Sequence, residues 1–240
     1  MFDRKILSKA VVTVCILAMA VSFVATKSSA QQTPSESEKA AAKAAWPKDV
    51  NRDSGYRLPL PRREDMDEDG KKIYDQVVNN GPGLIGPFAV QMHSPKYQAI
   101  LRQLNQFLRS EASGLTPHVQ EVSVLVACRE SNADFEWTAH ETLAQKAGVD
   151  QKVIDTIKYR KPSAGLPNED AAIIDLGREI YRQKKVGSET FARANKLYGP
   201  SKLINIVGLM GFYSTAAAEL QTFGFEMPAG EKSTLPATGR

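Results

Sequence analysis

The amino-acid sequence predicts an all-α helical bundle built as a single domain. Three observations predict it. From Asp67 onward, apolar residues recur three and four positions apart, as on one face of a helix. Capping residues and Gly/Pro breakers punctuate these stretches. Few stretches alternate with period two, so no sheet is expected, and no internal repeat is evident.

The N-terminus changes the later counts. Arg4, Lys5 and Lys9 precede an apolar run from Ala10 to Thr26, and Lys27-Ser28-Ser29-Ala30 follows. That order is the one of a secretory signal over residues 1–30, cleaved near Ala30. Export to the periplasm or outside is expected, with no stable membrane association after cleavage. Without residues 1–30 the 31 basic and 27 acidic side chains fall to 27 and 26, because Arg4, Lys5, Lys9, Lys27 and Asp3 leave. A net charge of +1 with no basic stripe argues against a nucleic-acid partner. Cys15 leaves with the signal, so Cys128 is the remaining cysteine and an intrachain disulfide is excluded. It sits in the apolar run from Val122 and reads as a small buried hydrophobe.

Residues 31–63 are polar and rich in Ala, Lys, Ser and Pro, which predicts a flexible arm with at most a short helix near Lys39 to Ala45. The helical domain spans 64–230, and residues 231–240 read as a disordered tail. Ile73, Tyr74, Val77 and Val78 mark the first helix, which Asn80-Gly81-Pro82-Gly83 breaks. After Gly86-Pro87-Phe88 and Pro95 comes a clean apolar face of Tyr97, Ile100, Leu101, Leu104, Phe107 and Leu108. Thr116 as cap and Pro117 at the first helical position start the next helix, with Val122, Leu125 and Val126 inward. Asn132 or Asp134 opens another, closed by Gly148. Asp150 caps a short helix of Val153, Ile154 and Ile157. A longer one runs from Glu169 to Lys184, and Ser188 opens a helix ended by Gly199-Pro200. The last covers Lys202 to Phe223 and is so apolar that burial in the core or at a subunit interface is expected.

The chemistry concentrates in three residues. Glu136 and His140 stand at i and i+4, which sets a carboxylate and an imidazole on one helix face. A neighbouring carboxylate favours the imidazolium and fixes its tautomer, so the pair suits general acid or base work near neutral pH. Glu121 lies among apolar positions of the preceding helix; a hairpin of the two helices would bring it against His140, the partner a buried carboxylate needs. Equally, the Glu–His pair could be a solvated face and Glu121 could point outward beside Gln120.

The spacing of Glu121, Glu136 and His140, with Thr116-Pro117 before them and Phe135-Glu136-Trp137 through Gly148 around them, resembles the carboxymuconolactone decarboxylase and AhpD-like family. The resemblance covers about Asp67 to Phe225 and is sharpest over 116–149. It implies an AhpD-like helical bundle, assembled as a homotrimer or homohexamer. The family's peroxidase branch carries a Cys-x-x-Cys pair where this chain has Ala133 and Glu136, so thiol peroxidase chemistry is not expected. The decarboxylase branch carries a carboxylate in place of the second cysteine, as Glu136 does here. The resemblance therefore implies a carboxy-lyase-like enzyme converting a small organic acid or lactone without a cofactor, with Glu121, Glu136 and His140 catalytic. The export signal sets its substrate apart from that of the cytoplasmic decarboxylases.

Phe88, Trp137 and Tyr213 fit either an apolar substrate pocket or plain core. Arg129 and Arg102 are candidate cations for a substrate carboxylate, or solvated surface residues, and His93 is a pocket candidate beside Ser94-Pro95. His118, in a first helical turn, is expected to be exposed. Two other readings stay open: a divalent metal held by Glu121, Glu136 and His140, and a non-enzymatic, ligand-binding helical oligomer.

Overall fold

The structure, a computed structural model, describes residues 34–237; the secretory-signal expectation for residues 1–30 lies outside them. It is helical, with no strand among the described residues. In chain order come α1 (Glu36–Ala44), α2 (Glu68–Asn80), α3 (Pro87–Gln91), α4 (Pro95–Leu108), α5 (Pro117–Glu130), α6 (Asp134–Lys146), α7 (Gln151–Lys158), α8 (Asn168–Arg178) and α9 (Ser188–Thr222).

α5 is the axis of the domain, packed on by α6, α7, α8 and α9. Every residue from Gln120 to Arg129 is buried, whereas the sequence implied one inward face. A helix buried all round belongs at the centre of a bundle. Side chains such as Val122 and Leu125, with no exposure at all, each contribute about 1.5–3 kcal/mol by burial. The expected caps form: the Thr116 hydroxyl accepts from the Val119 N–H, and Asp150 from that of Lys152. α8 and α5 touch because Gly177 has no side chain; a Cβ there would come within 2.3 Å of Val126.

α8 ends earlier than expected. A π-helical turn, Glu179–Gln183, carries the chain to Lys184 in the left-handed region. Gly199, at φ 69°, splits α9 into the two helical parts the sequence implied. The second part supplies Leu203, Ile206, Leu209, Met210 and Tyr213 to the core. α4 departs from its reading: Leu108 is buried, but Tyr97, Ile100, Leu104 and Phe107 stay exposed. The helix leans on α2 and α9 through its other side, where Gln98 is buried.

The arm and the tail are corrected most. Residues 46–58, expected to be flexible, lie against the body. Val50 and Tyr56 are each only 4% exposed. The Tyr56 hydroxyl donates to the Gly86 carbonyl at 2.7 Å, the Arg57 N–H to Phe223, and the Glu226 N–H to Gly55. Phe225 packs between Tyr56 and Phe135, its ring 5.2 Å from the first and 4.9 Å, edge-on, from the second, in a second small core with Val90 and Leu220. Gly86 makes room: at φ 52° its missing Cβ would meet Phe135 at 2.2 Å. In the tail, Leu235 joins the main core, and the Thr234 hydroxyl donates to Glu141 at 2.6 Å. A few well-placed apolar residues anchor both segments, too sparse to show a period.

Candidate active site

Glu121 lies one turn inside α5, and His140 lies in the middle of α6. The short link from Ser131 to Ala133, with Asn132 left-handed, folds the two helices into a hairpin. Ala133, rather than Asn132 or Asp134, occupies the cap position of α6. The hairpin brings the Glu121 carboxylate to His140, whose Nδ1 lies 2.7 Å from Glu121 Oε2. A carboxylate oxygen only accepts, so Nδ1 carries the hydrogen and Nε2 is left for chemistry. Glu136, one turn before His140, stands with Oε2 3.8 Å from Nε2, within ion-pair range but outside hydrogen-bond range.

Two residues not anticipated from the sequence act on the cluster, Arg109 by direct contact and Glu219 through its charge on Glu136 alone. Arg109, where α4 ends, donates through Nη2 to Glu121 Oε1 and through Nη1 to the Tyr213 hydroxyl at 3.4 Å. Tyr213, from α9, sets its ring edge to face with His140 at 4.8 Å. Arg109, Glu121, His140 and Tyr213 thus form a closed ring of contacts. A basic residue just past a helix C-terminus is a known complement to its free carbonyls, and that was the only sequence signal Arg109 gave. Glu219 is the second: Gln91 Nε2 and the Tyr97 hydroxyl donate to it at 2.8 and 2.5 Å. Burial, then Glu219, lifts the Tyr97 phenol to about 12.

The two glutamates are tuned in opposite directions. Burial alone would push the Glu121 carboxyl up, but the hydrogen bond and charge of His140, then Arg109, hold it below the usual range. Burial dominates at Glu136 and pushes its carboxyl up; His140 and Arg109 oppose this and the Glu219 charge adds to it. Glu136 Oε1 is buried with no hydrogen-bond partner. Burial also keeps the Tyr213 phenol protonated.

The other candidates are placed elsewhere. Trp137 is fully buried core, its Nε1 donating to Glu141 at 3.3 Å. Phe88 is half-buried on α3. His93 is exposed, 3.1 Å from the Pro59 carbonyl, in a separate surface cavity of about 620 Å³ with Met66 and Met92. Arg129 is buried and donates to Pro236 at 3.2 Å, and Arg102 donates to the Gln76 carbonyl, so neither is the cation at Glu121. His118 is not free in solvent: its Nε2 lies 2.7 Å from Asp170 Oδ1. Cys128 is buried, its thiol pushed up by burial and by Glu136 and Glu121. For Glu121 to ligate a metal beside Glu136 and His140, it would have to release Arg109 or His140.

A helical hairpin carrying an inward Glu–His pair around a central helix defines the class: the chain has an AhpD-like fold. It is similar to the crystal structure of an alkylhydroperoxidase AhpD core, an uncharacterized peroxidase-related protein from Ralstonia eutropha JMP134, with a TM-score of 0.57 and 18% identity over 72% of this chain and 92% of that one. At that identity the likeness speaks for the fold alone. No family model and no curated protein matches the chain.

Proposed function

We propose that the protein is a carboxymuconolactone decarboxylase-like enzyme, performing acid/base chemistry on a small organic acid or lactone. The observation that carries this reading is Glu136: a buried carboxyl, pushed toward its neutral form, with one oxygen lacking any partner beside the free nitrogen of His140. A buried acid pushed toward its neutral form next to an oriented imidazole suits proton delivery.

In a decarboxylation the carbon–carboxylate bond breaks, carbon dioxide leaves, and its electron pair stays as an enolate. In this reading His140 works doubly protonated, with Nδ1–H on Glu121 and Nε2–H donated to the enolate oxygen, and Glu136 delivers its proton to carbon. Water then returns a proton to Glu136. Glu121 acts as the charge that orients His140, and Arg109 keeps Glu121 ionised. Thiol peroxidase chemistry finds no support: Ala133 and Glu136 stand where its two sulfurs would, and the Cys128 thiolate is strongly disfavoured.

The test compares wild type with His140→Gln on mixtures of periplasmic small acids, by mass spectrometry. Wild type should deplete one acid and yield its product lighter by carbon dioxide, and the variant should not. Depletion equal in both would sink the reading. Metal analysis of protein purified without chelator separates the metal-dependent reading: stoichiometric metal lost in His140→Ala would replace the cofactor-free one. The apolar row exposed on α4, with Ile204 and Val207 on α9, supports assembly of several copies, which light scattering checks.

A further inference from the structure

A second buried carboxylate sits at the opposite end of α5. Glu130 is gripped by Arg182, whose Nε and Nη2 donate at 2.7 and 2.5 Å. Arg160 Nε stands 3.9 Å from it. Arg129 and Arg178 also crowd this point: burial first, then neighbouring guanidiniums, lower both below the usual arginine value. Two guanidiniums therefore stand within ion-pair range of this carboxylate, and the charges of two more act on the same region. Arg178 and Arg182 are four residues apart across the start of the π-helical turn, a like-charge arrangement that the single charge of Glu130 offsets in part. π-turns of this kind recur at functional sites.

Beside them opens a cavity of about 420 Å³, lined by Arg178, Arg182, Arg193, Gln183 and Thr190, with Asp175, Glu179 and Glu189. Two of its carboxylates are already engaged. Asp175 accepts from Ser163 and Arg193, and Glu179 from the Gly187 N–H and Thr190. Glu189 is exposed, in the first turn of α9. Arg178 donates through Nη2 to the Thr156 carbonyl, and Arg193 Nε is buried with no acceptor. The unpartnered buried group among the lining residues is thus an N–H donor, and three guanidiniums stand around it, the complement of an oxyanion.

We propose that this cavity binds a small oxyanion, held between Arg178, Arg182 and Arg193 and separate from the Glu121–His140 cluster. Calorimetry on the full chain at fixed ionic strength, with inorganic phosphate, sulfate and acetate in turn, tests it. One saturable site is expected, with a raised melting temperature, and at least tenfold weaker binding in both Arg178→Gln and Arg193→Gln. His140→Ala should bind as wild type does, since its cluster is not the site. Preference for phosphate and sulfate assigns a phosphoryl or sulfuryl ligand, and preference for acetate a carboxylate; either upholds the site. No saturable binding of any of the three, or binding unchanged in both arginine variants, or binding lost in His140→Ala, overturns it.

Discussion

α5 carries one buried carboxylate near each end, and the two are surrounded differently. Glu121, 3% exposed in its side chain, meets one guanidinium and one imidazole. Glu130, 4% exposed, is held by Arg182 with Arg160 close behind, and two further arginines crowd the same region. At the first end a single carboxylate is met by Arg109 and His140, and burial pushes a further acid, Glu136, toward its neutral form close by. At the second end cations exceed anions and N–H donors are left over. One helix thus sets up two environments with opposite offers, a proton at one end and donors for an anion at the other.

The largest effect expected from breaking this contrast is catalytic. His140→Gln removes the group proposed to face the substrate, and turnover of the acid sought in the mass-spectrometric search should fall about 10²–10⁴-fold. Unchanged circular dichroism would tie the loss to chemistry. Next come the carboxylates themselves. Glu121→Ala leaves the buried His140 and the part-buried Arg109 without their carboxylate, at a cost of about 3–5 kcal/mol in urea unfolding; Glu130→Ala should cost less, because Arg182 is 43% exposed and water screens it. The comparison sharpens when phosphate is added: stability should return in part to Glu130→Ala, where several guanidiniums gather, and not to Glu121→Ala. Equal recovery in both would erase the distinction between the two ends.

The tail offers a smaller perturbation on the main core. Leu235 is 4% exposed, so Leu235→Ala should cost about 2–5 kcal/mol, measured by the urea midpoint. A flexible tail would show no change.

The sequence made the helices legible because their signals are periodic and local. Thr116-Pro117, Asp150 and Gly199-Pro200 mark boundaries that the structure keeps. The Glu121–His140 contact was legible too, since a carboxylate among apolar residues needs a partner and the hairpin supplies one. Arg109 and Glu219 were not, because each reaches the cluster from a distant helix and no spacing links it to Glu121 or Glu136. Tyr56, Val50 and Leu235 were missed for a related reason: single anchors in polar segments leave no period to read. Arg129 looked eligible as the substrate cation, but it lies eight residues beyond Glu121, about 12 Å along a helix.

The opposite tuning of the two glutamates gives a pH test. The Glu121 carboxyl is held below its ordinary 4.5, so its stabilising contribution is present above 4.5 and is lost as pH falls through the lowered value. The Glu136 carboxyl is held above 4.5, so its fold-stabilising proton is present below 4.5 and stability declines as pH rises through the raised value. Glu136→Gln, a permanent stand-in for the neutral carboxyl, should abolish that decline and be no less stable than wild type at neutral pH. Urea midpoints across the acid-to-neutral range check both signs; a Gln variant that keeps the wild-type decline would mean another group causes it.

The smallest effect reads how the arm contributes to this balance. Tyr56 donates to the buried Gly86 carbonyl and packs on Phe225, and burial, then the Glu136 charge, pushes its phenol up. Tyr56→Phe keeps the ring and deletes one hydrogen bond, leaving a buried carbonyl unpaired, so a loss of about 1 kcal/mol is expected. Because the ring still excludes water, the pH dependence assigned to Glu136 should be unchanged. Tyr56→Ala removes the ring as well, and water admitted beside Glu136 should relax its carboxyl toward 4.5, moving the decline to lower pH. If Phe and Ala shift it equally, the hydroxyl and not the covering ring holds Glu136 neutral; if neither shifts it, the arm has no part in the site.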